Sequence, residues 1–227
     1  MTPRALGAND GTTPPVSAVM ERRMDQRTLP EPRLAPLSPD HTPELKELFA
    51  GYAKRGGYIP NSMLIMQRSP KLAQAFAQLV PAIFDPDGKV DRGFKRLIAF
   101  VCSRAAGCKY CMAHQVQSAP NWGVDEKKVD AVWDYKTSPL YSDAERAALD
   151  VAVAAGCVPN EVTDEMFDEL KKHWTEEQIV EIVGTISLFG FLNRWNDTMA
   201  TPLEEPPIAA GEKFLSSRGW DAGKHAR

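Results

Sequence analysis

The chain has 227 residues, of which 43% are hydrophobic and 25% charged, a balance typical of a globular protein with one sizeable domain or two small ones. Its formal net charge of −3 gives no overall basic footprint, which argues against nucleic acid as the main partner. Because no apolar run is long enough to span a bilayer and the N-terminus lacks a charged-then-apolar signal pattern, we expect no membrane association and a cytoplasmic location.

The first residues, 1–39, are rich in proline and show no sustained apolar period. This composition is typical of a segment that does not bury a core of its own. We therefore expect a flexible, proline-rich N-terminal arm over residues 1–39. A helical domain over 40–205 would follow, and then a C-terminal tail over 206–227 with one short helix.

Helical signals recur through the rest of the chain. Thr42, Ser142, Thr163 and Thr175 are of the types that cap helix N-termini, and Ser142 with Glu145 forms a capping-box pattern. Apolar residues follow these caps at helical spacing. Helices are predicted at 43–54, 70–83, 94–104, from 108 onwards, and at 125–135, 144–156, 163–174, 175–198 and 209–217, and a turn capped by Asn61 is predicted through Met66. Because no segment alternates as a strand does, the predicted fold class is all-α.

The most reactive side chains lie between residues 108 and 114. One helix is predicted to end near Gly107, and the next begins at Cys108, where the positive end of the helix dipole should lower the pKa of the thiol. Residues three apart are neighbours on a helix, so Cys108, Cys111 and His114 can meet along one stripe. This set suits dithiol redox chemistry, with His114 taking a proton from Cys111.

Two other interpretations of these three residues stay open. Thiolates and an imidazole are also preferred zinc ligands, although a structural zinc site normally needs four ligands and no fourth candidate stands at ligand spacing. The three could instead be ordinary packed residues. The other two cysteines, Cys102 and Cys157, are interpreted as buried, unreactive thiols.

Three pieces of sequence form a recognisable pattern: Leu97-Ile98-Ala99, Arg104-Ala105-Ala106-Gly107-Cys108-Lys109-Tyr110-Cys111, and His114. Asn193-Arg194-Trp195-Asn196-Asp197 is a second, weaker signature. The pattern resembles the carboxymuconolactone decarboxylase superfamily, especially its alkylhydroperoxidase AhpD-like, peroxidase-related members, over residues 35–205. The resemblance implies an all-helical bundle that forms a homo-oligomer. It also implies that Cys111 attacks a hydroperoxide and that Cys108 resolves the sulfenic acid as a disulfide.

Two departures from the family pattern bear on this chemistry. The interval from Cys111 to His114 is one residue shorter than usual, which still keeps both on one face. Many AhpD-like enzymes carry a proton-relay glutamate twelve residues before the first cysteine, where this chain has Arg96, and an arginine does not relay a proton. Either the relay is rebuilt from elsewhere, or the reaction is not hydroperoxide reduction.

A faint internal repeat relates residues 96–108 to residues 145–157, which share Ala-Ala-Gly-Cys. It implies an AhpD-like bundle with two related helical-hairpin halves. Glu145 occupies the relay position of the second copy. It either lends its carboxylate to the first site or serves only in the capping box.

Five further residues are candidates for binding substrate or relaying protons: Arg96, Tyr110, Glu145, Arg194 and Asn196. Arg194 and Asn196 belong to the polar cluster 193–197, which ends a strongly apolar helix. That cluster either lines a pocket or forms an intersubunit or C-terminal network.

The sequence thus predicts an enzyme, a thiol-dependent peroxidase or disulfide oxidoreductase. Cys111 would be the attacking thiolate, Cys108 the resolving thiol, and His114 the proton acceptor and donor. The partners would be a hydroperoxide or other small molecule and an external dithiol reductant, with no organic cofactor or metal required. One alternative is a decarboxylase or lyase in which Arg96 holds a carboxylate. Another is a non-catalytic redox-sensing oligomer.

Overall fold

The computed structural model describes residues 32–226, and within them the secondary structure is helical, without a strand. The α-helices in chain order are α1 Lys46–Gly56, α2 Asn61–Met66, α3 Pro70–Ile83, α4 Arg92–Ala105, α5 Lys109–Asn121, α6 Glu126–Asp130, α7 Asp143–Gly156, α8 Asp164–His173, α9 Glu176–Met199 and α10 Glu205–Leu215. The all-α prediction is confirmed. No helix of the described part is both long and apolar enough to cross a membrane.

Local signals placed most helix starts correctly. Ser142 forms the capping box with Glu145, and Thr175 forms a second one with Gln178. Thr42 is the exception, because its hydroxyl points to the Gln67 carbonyl oxygen at 3.5 Å instead of capping the helix that follows. Thr42 therefore makes a tertiary contact in place of a helix cap, and the sequence around Thr42 does not indicate that contact.

Helix α4 forms the centre of the domain and is buried over most of its length, from Gly93 to Ser103. It packs against α5, α7 and α9. The contact with α7 is close: a Cβ atom on Gly156 would lie 2.7 Å from the Cys102 carbonyl oxygen. The α4–α5 hairpin carries the first copy of the sequence repeat and the α7–α8 hairpin the second, and the two hairpins pack together along their first helices.

Helix α9 is buried unevenly around its circumference. Its Ile179, Ile182 and Ile186 are buried, but Val180 and Phe191 remain exposed. Its buried side packs on α4, α5 and α7, and α3 and α8 contact it as well, with the Phe191 ring centre 5.8 Å from that of Phe76 on α3.

The C-terminal tail is part of the domain. Helix α10 begins at Glu205, earlier than the predicted 209, because prolines are tolerated in a first turn, where N–H groups have no helical partner. It packs along α5, and the Trp220 indole N–H donates to the Lys109 carbonyl oxygen at 3.3 Å.

Part of the predicted N-terminal arm also contacts the domain. The Arg33 amide bonds to the Met199 carbonyl oxygen, and the Leu37 amide to that of Leu64, both at 3.2 Å. Residues 1–31 of the predicted arm lie outside the described residues.

Candidate active site

The turn between α4 and α5 places the first thiol. Gly107 takes a left-handed conformation with φ +73°, which glycine adopts without strain. Cys108 follows as the N-cap of α5, and its Sγ accepts a hydrogen bond from the Cys111 amide at 3.4 Å. The Cys108 side chain is fully buried. The Cys108 sulfur is therefore held against the backbone of Cys111.

Cys111 lies one turn into α5 and is 2% exposed. Burial raises the pKa of its thiol well above the usual range, and the neighbouring Cys108 thiol raises it further. The Asn196 side-chain amide, 3.6 Å from the Cys111 sulfur, acts in the opposite direction. The resting Cys111 is therefore a protonated thiol, and the predicted thiolate requires a group that removes the proton.

His114 is paired with a carboxylate that the sequence did not single out. Its Nε2 lies 2.8 Å from Oε2 of Glu204, the residue that precedes α10. The other oxygen of Glu204 accepts from the Tyr110 hydroxyl at 3.0 Å and from the Asn61 amide. Burial alone would raise the pKa of Glu204, but the adjacent His114 and the hydrogen bond from the Asn61 amide lower it on balance, so the carboxylate is ionised at neutral pH.

The second nitrogen of His114 also has a partner. Its Nδ1 lies 3.3 Å from the hydroxyl of Tyr58. Because an ionised carboxylate can only accept hydrogen bonds, we assign the imidazole proton to Nε2, which faces Glu204. The Nδ1 atom then accepts a hydrogen bond from Tyr58. Burial, followed by the Glu204 charge, raises the pKa of Tyr58 and keeps its hydroxyl protonated. The result is a hydrogen-bonded chain from Tyr58 through His114 to Glu204.

This geometry changes the expected route of the proton. His114 was predicted to take a proton directly from Cys111. In the described structure both of its ring nitrogens are engaged, one by Tyr58 and one by Glu204. Direct transfer would first require one of these bonds to open.

A cavity of about 890 Å³ joins these groups, and we call it the Cys111 cavity. Its size suits a small organic ligand. Its polar lining includes Cys111, Tyr58, His114, Arg96 and Asn196, and its apolar lining includes Phe76, Val80, Phe84, Leu188, Phe189 and Leu192. Cys108 does not line it. The predicted residue Tyr110 also contributes to its wall, as does Gln115, which the sequence did not single out.

Arg96 is held in this wall by an aromatic ring and an amide. Its guanidinium carbon lies 3.7 Å from the centre of the Phe84 ring, and its Nη1 donates to Gln115 Oε1 at 3.3 Å. Burial, with the like charge of Arg92, lowers the pKa of Arg96 to about 10. Arg96 is thus still a cation at neutral pH.

Two other candidates lie away from this cavity. Glu145 bonds to Lys128 at 2.6 Å and to the Ser142 amide at 3.0 Å, so it has the capping-box role. It does not line the Cys111 cavity. Arg194 lines a separate groove beside Cys157.

The polar cluster 193–197 divides between the two roles considered for it. Asn196 faces the Cys111 sulfur. Asp197 instead forms an ion pair with Lys224 at 2.7 Å, which belongs to a C-terminal network. Consecutive residues of a helix point in different directions, so one short cluster serves both purposes.

The arrangement supports thiol chemistry more directly than metal chemistry. Among residues 32–226 no three His, Cys, Asp or Glu side chains are grouped as metal ligands. Cys102 and Cys157 take no part in the cavity. Burial raises the pKa of Cys102 to about 12, in keeping with an unreactive thiol.

Comparisons with known proteins agree with the resemblance in the sequence. A profile of the carboxymuconolactone decarboxylase family matches residues 70–154. The debrominase Bmp8 is 38% identical, with a TM-score of 0.74 over 79% of this chain and 96% of its own. The chain belongs to the carboxymuconolactone decarboxylase/AhpD-like superfamily. Named members of this superfamily are enzymes.

Other members share less sequence. A peroxidase-related AhpD-core protein from Ralstonia eutropha JMP134 is 22% identical, with a TM-score of 0.68 over 78% of this chain and 95% of its own, and it shows the same fold. The uncharacterized protein YdfG of Bacillus subtilis is 26% identical over 50% of this chain and 76% of its own. The debrominase has also been solved as a cysteine-to-alanine variant in complex with 2,3,4-tribromopyrrole.

Sequence patterns alone do not identify Glu204 or Tyr58. Glu204 is 90 residues from His114, and Tyr58 is 56 residues from it. The pair Glu204-Glu205 stands at a helix start, but acidic pairs also open α8 and α9, so the pair does not single out Glu204.

Proposed function

We propose that this chain is a dithiol-dependent reductase in which Cys111 attacks a substrate in the Cys111 cavity and Cys108 then closes a disulfide. The observation that carries the proposal is the difference between the two sulfurs. Cys111 lines the cavity, whereas Cys108 is fully buried beside it. A substrate therefore reaches Cys111 first. Cys108 is then positioned to attack the Cys111 sulfur and displace the group bound to it.

The substrate class that we favour is a halogenated aromatic compound. The debrominase that is 38% identical supports this choice, since a brominated pyrrole is the ligand of its cysteine variant. The apolar and aromatic lining of the Cys111 cavity suits such a ring. The cation Arg96, at the position where AhpD-like enzymes carry their relay glutamate, further separates this site from hydroperoxide reduction.

The reaction balances as a two-electron reduction. The carbon–bromine bond breaks, hydrogen takes the place of bromine on the ring, and bromide and a proton are released. The two thiols supply the electrons and protons and become a disulfide. An external dithiol must then reduce that disulfide to restore the enzyme.

Proton transfer is assigned to the chain formed by Tyr58, His114 and Glu204. Cys111 is protonated at rest and must lose its proton as it reacts. Tyr58 lines the cavity and its hydroxyl contacts His114, whose other side contacts the Glu204 carboxylate. These three residues can therefore accept a proton on the cavity side and return one to the ring carbon of the substrate.

Hydroperoxide reduction is the second candidate, and the His114–Glu204 pair favours it. This pair places a carboxylate beside the thiols, as the relay glutamate would in AhpD-like enzymes. The O–O bond would break to give an alcohol and water, with the same disulfide as the oxidised product.

The test is a single-turnover assay on the reduced protein. Brominated pyrroles, including 2,3,4-tribromopyrrole, and an alkyl hydroperoxide are added in separate reactions. Bromide release is measured by ion chromatography, hydroperoxide consumption by absorbance, and free thiols by titration. We expect one bromide released for each disulfide formed, with none from Cys111→Ser protein.

The control is Cys157→Ser, because Cys157 lies outside the Cys111 cavity and should leave turnover unchanged. Bromide release that persists in Cys111→Ser protein would refute the assignment. If the hydroperoxide oxidises the thiols and the brominated pyrroles do not, the function is hydroperoxide reduction. Decarboxylation that survives loss of both thiols but not of His114 would favour the lyase alternative.

A further inference from the structure

Two arginines enter the Cys111 cavity from the same side of α4. Arg92 and Arg96 are one helical turn apart, so their side chains are neighbours on that helix. Each guanidinium lies over an aromatic ring: the Arg92 carbon is 3.7 Å from the centre of Trp122, and the Arg96 carbon is 3.7 Å from that of Phe84. The rings fix the orientation of both cations.

Neither cation has a countercharge within the part of the chain that the structure describes. No described carboxylate lies within 4.0 Å of either guanidinium. The Nε of each is buried without a hydrogen-bond partner, and Arg96 has Gln115 as its one described acceptor. Two neighbouring like charges held this way are unfavourable unless something neutralises them.

Building on the proposed function, we propose that the substrate is an aromatic monoanion whose charged group binds Arg92 and Arg96. A carboxylate or an ionised ring atom would serve, since a guanidinium presents planar, paired N–H donors to such groups. Phe84 and the other apolar residues of the wall pack against the ring, and the halogen-bearing edge is presented to Cys111. The arginines thus select which halogenated rings enter.

The test measures binding apart from chemistry, in full-length Cys111→Ser protein. The probes are para-bromobenzoate and its methyl ester, which have the same ring and halogen but differ in charge. Affinity is measured by calorimetry and by intrinsic tryptophan fluorescence at low salt. We expect the acid to bind at least about tenfold more tightly than the ester, because charged hydrogen bonds without competing water are strong.

Arg96→Gln in the same background should weaken binding of the acid about tenfold to a hundredfold and leave the ester unchanged. Arg92→Gln should act in the same direction. The matched control is Arg104→Gln, because Arg104 is on the same helix and stacks on Trp133 but does not line the cavity. It should not change either affinity.

Equal affinity for acid and ester, or failure of the acid to bind, would overturn the proposal, and that comparison needs no arginine variant. The outcome is separable from that of the proposed function. Selective binding of the acid, with no bromide release from the brominated pyrroles by wild-type protein, would reject the reductase and keep the anion site. Bromide release from the pyrroles together with equal affinity for acid and ester would reject the anion site and keep the reductase.

Discussion

Replacing Glu204 by Gln tests the residue on which the proton-transfer chain depends. The side chain of Glu204 is 9% exposed and that of His114 is 13% exposed, so this pair is largely screened from water. Gln has nearly the same shape and keeps one oxygen for Tyr110 and Asn61. Its amide, however, would face the Nε2–H of His114, which sets a donor against a donor.

The size of the effect follows from the bond that is lost. A hydrogen bond to a charged group contributes about 1.5–3 kcal/mol to stability. Loss of one such bond, taken as about 2 kcal/mol, should lower the Tm by about 4–8 °C in a protein of this length. His114 can relieve the conflict by moving its proton to Nδ1, but Tyr58 would then accept instead of donate. We therefore also expect turnover to fall about a hundredfold.

Thermal unfolding at pH 7, followed by far-ultraviolet circular dichroism, measures the stability, and bromide release measures the rate. Glu205→Gln is the matched control, because it makes the same chemical change one residue along the chain, at a side chain that is exposed. It should shift the free energy of unfolding by less than about 1 kcal/mol. If Glu204→Gln and Glu205→Gln have the same Tm and the same rate, Glu204 does not hold His114 as described.

Three further predictions concern the same region. The pKa of Glu204 is lowered on folding, so its stabilisation is present above its ordinary pKa of about 4.3 and is lost as the pH falls through the folded value; the stability gap between wild type and Glu204→Gln, measured by denaturant titration, should therefore shrink as the pH falls below about 4. Tyr58→Phe should slow bromide release about tenfold to a hundredfold, with a stability loss below about 1.5 kcal/mol; an unchanged rate would remove Tyr58 from the chain. Gly156→Ala should destabilise the fold by about 1–3 kcal/mol, since the new Cβ would lie 2.7 Å from the Cys102 carbonyl oxygen, and a stabilised variant in the same titration would contradict the close packing of α4 and α7.

The helices could be predicted because their signals are local. The capping boxes at Ser142 and Thr175 and the apolar spacing in α3 concern residues within one or two turns of each other. The predicted helix starts were wrong where a residue distant in the sequence made the deciding contact. Thr42 contacts Gln67 instead of capping, and α10 begins ahead of its prediction and packs on α5.

By itself the sequence determined the fold class and the pair Cys108 and Cys111, because helix periodicity and the spacing of two thiols depend on neighbours in the chain. Only the tertiary structure decided which sulfur faces the cavity and which carboxylate pairs with His114. Glu204 and His114 meet across 90 residues through the docking of α10 on α5, a contact that buries apolar surface and has no signature in local spacing. The carboxylate beside His114 therefore comes from a position that the local sequence pattern does not mark.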